Sequence, residues 1–139
     1  MRPTEPADVT SVTSSTRHIV GYVAPALQLA ACFIPVVELS DGTTRTWIDC
    51  GPMGYVVAAL AVYALWTTRR TRNLAPAWCG ALSAVIALGA YVGVILDHPI
   101  PGLHISPDEW ETPDIGLFLT IAASIVTTAL PFVATRRDP

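Results

Sequence analysis

Seven residues, Thr67-Thr68-Arg69-Arg70-Thr71-Arg72-Asn73, form a cationic turn wedged between two apolar runs that are each close to membrane length. No other stretch constrains the fold as strongly. Arg is costly to move through hydrocarbon, so a short loop with three of them stays cytoplasmic, and its flanking helices must enter and leave from that side. The composition agrees: the chain is 52% hydrophobic and 14% charged, against about 25% charged in soluble domains. Its 139 residues hold four spans of about 20 residues with modest loops and leave no room for an extramembrane catalytic domain. The expected fold class is an all-α integral membrane protein: a four-helix transmembrane bundle over 19–137 with a small outer β-hairpin, preceded by a disordered cytoplasmic tail over 1–18.

The tail is read from residues rich in Pro, Ser, Thr, Glu and Asp, which bury too little to order themselves. Ile19 to Val37, uncharged between Arg17-His18 and Glu38, is span one. Pro25 and Pro35 inside it each remove a backbone donor and predict kinks. Within this run, Leu29-Ala30-Ala31-Cys32 resembles the lipobox of bacterial lipoprotein signal peptides. The apolar run continues past Cys32 and is interrupted by Pro25 and Gln28, which argues for a span instead of a cleaved signal.

Asp41-Gly42, flanked by strand-forming residues, predicts an outer hairpin over Glu38 to Trp47. A two-residue turn there would pair Ser40 with Thr43, Leu39 with Thr44, and Glu38 with Arg45. Gly51 to Thr68 is span two, with Trp47 and Tyr55 at the outer headgroup level and Trp66 at the inner one. Leu74 to Leu96 is span three, capped by Asn73 with Pro76 in the first turn. Asp97 to Asp114 is an acidic, Pro-rich outer loop in which Ser106-Pro107-Asp108-Glu109 predicts one short helical turn. Thr112-Pro113-Asp114 launches span four, Ile115 to Ala134, which stops at Arg136-Arg137.

All eight basic residues are Arg, and on this reading seven lie inside and only Arg45 outside, while eight of the eleven carboxylates lie outside. Arg69, Arg70, Arg72, Arg136 and Arg137 thus set both termini in the cytoplasm, in a bacterial-type inner membrane. The one basic cluster is accounted for by this topology, so no nucleic-acid partner is implied.

The candidate chemistry is sparse. His98 and His104 among the loop carboxylates are weak metal-ligand candidates, since their spacing fits no established site. No nucleophile, base and orienting group come together, so no enzyme activity and no cofactor is implied. No Asp, Glu, Lys, Arg or His lies inside a span, which disfavours proton relays, voltage sensors and coupled small-solute transporters. Three Cys cannot form a disulfide framework: Cys32 and Cys79 read as buried small hydrophobes, and Cys50, at the outer end of span two, is open to an intermolecular bond or a free thiol.

Two polar and packing patterns remain. Ala77, Ala81, Val85, Gly89 and Gly93 recur every four residues along span three, a small-residue pattern that brings helices close within the protein or between copies. Gln28, Ser83 and Ser124 each fall nine residues into their spans and define a polar layer about 13 Å deep. Thr120, Thr127 and Thr128 are expected to bond back to their own helix.

The leading functional expectation is a non-enzymatic protein that acts by contact with another membrane protein or with itself, as an accessory, assembly or partner-binding component. In length, four-span layout and a central Arg-rich cytoplasmic turn, the chain also resembles the Rex membrane proteins of temperate phages. That likeness of layout implies an alternative, an oligomeric ion-conducting pore of the phage-exclusion or toxin type.

Overall fold

The structure is a computed structural model that describes residues 9–68, 74–96 and 110–135. Four helices, α1 (Val9–Ala31), α2 (Pro52–Thr68), α3 (Ala75–Leu96) and α4 (Ile115–Thr135), surround a common centre. Each packs on its neighbours in the ring α1, α2, α3, α4 and back to α1. One end of the ring carries a three-stranded sheet made of β1 (Pro35–Leu39), β2 (Thr44–Thr46) and β3 (Trp110–Pro113). α1 and α3 run toward the sheet, α2 and α4 away from it.

The first helix departs from the expected span at both ends. It begins at Val9, inside the stretch expected to be a disordered tail, and it stops at Ala31 instead of Val37. The stop follows from Pro35, which has no N–H to offer the Ala31 carbonyl and disfavours helical geometry at Ile34. The last turn tightens accordingly, with Cys32, Phe33 and Ile34 N–H groups donating to the carbonyls three residues back. Pro35 therefore opens a strand and kinks nothing, whereas Pro25 stays inside the helix. The other three helices match the apolar runs to within a residue or two.

The hairpin forms one residue out of the expected register. Leu39 N–H donates to Thr43 O and Gly42 N–H to Leu39 O, so the loop has three residues, Ser40 to Gly42, with Gly42 at φ 77°. This is a turn completed by a left-handed glycine, the alternative use of the same Asp-Gly signal. Glu38 consequently faces Thr44, and Arg45 faces Val37. The other edge of β1 pairs with β3, Glu38 opposite Thr112 and Leu39 opposite Trp110, in a segment expected to be loop. A third strand gives the hairpin the support that two strands alone lack.

Beneath the sheet, Cys32, Val36, Val37, Leu39, Trp47 and Cys50 pack with Val57, Ala87, Ala90 and Leu117 from the helices. Trp47, expected at the headgroup level, is 1% exposed in this cluster. A short turn carries it there: Thr46 donates from its N–H and hydroxyl to the Asp49 carboxylate, and Gly51 then breaks the turn ahead of Pro52.

Candidate functional site: a polar interior beneath an apolar cap

Apart from Val57 and Leu117 beneath the sheet, the buried residues on the facing sides of the helices are small or polar, and most large apolar ones point outward. Buried positions include Ala24, Gln28 and Ala31 on α1, Gly54, Ala61, Ala64 and Thr67 on α2, Gly80, Ser83, Ala87 and Ala90 on α3, and Thr120, Ser124 and Thr127 on α4. Val62, Leu82, Val85, Val92, Ile125 and Phe132 are all about half exposed or more. A water-soluble helical protein has the reverse pattern. By length and composition α3 and Ile115–Val133 of α4 can each cross a membrane; α2 is apolar and shorter.

Small residues matter most where two backbones meet. A Cβ built on Gly80 would lie 2.7 Å from Ser124 O and from the Thr128 amide nitrogen, so this glycine sets the approach of α3 to α4. The expected four-residue line does not form that contact. Four residues turn a helix by 400°, so the line drifts by roughly 40° per step. It starts at buried Ala77, passes half-buried Ala81, crosses the outer face at Val85 and Gly89, and returns to buried Gly93. Nothing lies within 4 Å of a Cβ on Gly89. The buried line instead runs through Gly80, Ser83, Ala87, Ala90 and Gly93 in steps of three, four, three and three, and nothing in that spacing sets Gly80 apart from the other small residues on it.

Gln28 Nε2 donates to Ser83 Oγ at 2.7 Å, both residues being fully buried. Because α1 and α3 are not ring neighbours, this bond crosses the middle of the molecule. Gln28 lies one turn from the end of α1, not at its centre, because the helix stops at Ala31. Ser124 shares the interior, and its Oγ and Gln28 Oε1 have no partner among the described residues. Toward the sheet, Trp47 Nε1 donates to Thr120 Oγ1 at 2.9 Å and covers the polar interior, a contact between residues 73 apart that no local pattern announces. Thr120, Thr127 and Thr128 each donate to the carbonyl four residues earlier, as does Thr67 to Tyr63.

Asp41, Asp49 and Cys50 lie on the segments at the sheet end of the molecule. Thr43 donates to Asp41 through its hydroxyl and its N–H, and these bonds hold the Asp41 carboxyl below its ordinary range. The Thr46 hydroxyl and N–H lower Asp49 in the same way. Burial, aided by the Asp49 charge, pushes the Cys50 thiol up to about 11. All three cysteines are free and buried. Among the described residues no three His, Cys, Asp or Glu side chains gather as a metal site. His98, His104, the capping-box turn, Asn73 and the topology residues Arg69, Arg70, Arg72, Arg136 and Arg137 lie outside the described residues. What the interior offers chemically is neutral hydrogen bonding, from an amide and hydroxyls. No family model, curated protein or solved structure matches the chain.

Proposed function

We propose that the chain is a four-span membrane protein, with both termini cytoplasmic, that acts by contact as an accessory or assembly component. The observation that carries this reading is the inverted surface: large apolar side chains outward, small and polar ones inward. Lipid accepts the first, and close packing with hydrogen bonds between helices uses the second. The shortness of the apolar part of α1 is compatible with a crossing, because β1 continues it and both of its edges are hydrogen-bonded. Non-helical backbone at membrane depth is tolerated where protein satisfies it in this way. Exposed Trp66 and Trp78 near the ends remote from the sheet, and Tyr55 near the sheet, suit the two headgroup regions.

Reporter fusions at Thr71 and Asp138 should read cytoplasmic, and fusions at Thr43 and Ile105 external. Thr43 and Thr71 on one side of the membrane would end the four-span reading. A stoichiometric partner co-purifying in mild detergent supports action by contact. The second reading, an oligomeric ion-conducting pore, draws on the buried polar series Thr120, Ser124, Ser83, Gln28 and Thr127. A self-oligomer with discrete single-channel currents would favour it.

A further inference from the structure

We infer that the interior binds one water molecule, shared between Gln28 on α1 and Ser124 on α4. Gln28 Oε1 and Ser124 Oγ are buried polar atoms with no hydrogen-bond partner among the described residues, and both residues are 0% exposed. Buried polar groups are almost always paired, with protein or with ordered water. Rotating the Gln28 amide would exchange the atom that meets Ser83 and leave the other end unpaired in either case.

Adjacent turns of α3 meet both residues, Ser83 touching Gln28 and Gly80 lying against Ser124. Ser83 Oγ is 2.7 Å from Gln28 Nε2, which brings the other end of the same amide to this turn of α3. Gly80, one turn back along α3, lies against the Ser124 carbonyl. Because α3 and α4 run in opposite directions and side chains lean toward the N-terminus of their own helix, Ser83 and Ser124 lean toward each other. The chemistry of the pair selects a neutral ligand. The buried polar side chains here are Gln, Ser and Thr, so a cation would bring an uncompensated charge into the interior. Water needs only two to four hydrogen-bond partners. It donates one O–H to Gln28 Oε1 and accepts the Ser124 hydroxyl, tying α1 to α4 as the direct bond ties α1 to α3.

Gln28 is the only glutamine in the chain, so selective ¹⁵N labelling leaves one side-chain amide to observe. In the full-length protein in lipid nanodiscs, water should give a cross-relaxation peak at this amide with the sign of a long-resident molecule. Ser124→Ala, which removes one anchor and leaves Ser83 intact, should weaken that peak at least fivefold while the backbone amide spectrum stays native. A peak of unchanged size in Ser124→Ala would mean that proton exchange through the Ser83 hydroxyl carries the signal. Absence of the peak in the wild type would mean that the two atoms stay unpaired. Either result overturns the inference.

Discussion

Single residues in this protein are constrained by how close two backbones come, and Gly80 and Gly89 make the contrast measurable. Both are glycines on α3, yet a side chain at Gly80 would run into Ser124 and Thr128 whereas one at Gly89 would meet open space. Gly80→Leu should therefore cost about 1–3 kcal/mol or more through overpacking. Gly89→Leu should leave thermal unfolding in detergent unchanged. The cysteines give a second residue-scale test. With its thiol pushed up to about 11 and its side chain buried, Cys50 is almost wholly protonated at pH 8. Maleimide should label none of Cys32, Cys50 and Cys79 in the native protein at that pH and all of them after denaturation. Labelling of native Cys50 would contradict its burial.

Among the elements, the hairpin has a stability that depends on acid. The folded-state carboxyl of Asp41 is depressed by hydrogen bonds from Thr43, so its contribution is present above the ordinary carboxylate value and is lost as pH falls through the lowered one. Carbon-13 shifts should show Asp41 titrating below the unstructured reference of about 3.9. Thr43→Val removes the hydroxyl bond and should move the midpoint upward. The same element marks a limit of sequence reading. Asp41-Gly42 announces a turn, but a two-residue and a three-residue loop use that dipeptide equally well, and one residue of slip moves Glu38 from Arg45 to Thr44. β3 has no signature of its own. Trp110–Pro113 becomes a strand because β1 has an edge to pair with, which no local pattern states.

At the scale of the whole molecule, the Gln28–Ser83 bond crosses between helices that are not neighbours, so its loss should be felt by all four. Gln28→Leu leaves the Ser83 hydroxyl without its donor and should lower stability by about 0.6 kcal/mol, the typical weight of a polar contact between membrane helices. On the proposed reading of action by contact, bilayer conductance should stay at background in both wild type and Gln28→Leu. Single-channel currents whose amplitude changes in Gln28→Leu or Ser124→Leu would instead assign the polar interior to a pore. The sequence by itself determined the positions of α2, α3 and α4, since long uncharged runs bounded by Arg, Asp and Pro allow little else. It also singled out Gln28, Ser83 and Ser124, because polar side chains are conspicuous in apolar runs. Only the tertiary structure decided that Pro35 ends α1 while Pro25 does not, that Trp47 turns inward to Thr120, and that Gly80 is the glycine at the contact. Each of these depends on what lies opposite the residue. A partner on another helix leaves no trace in the spacing of its own.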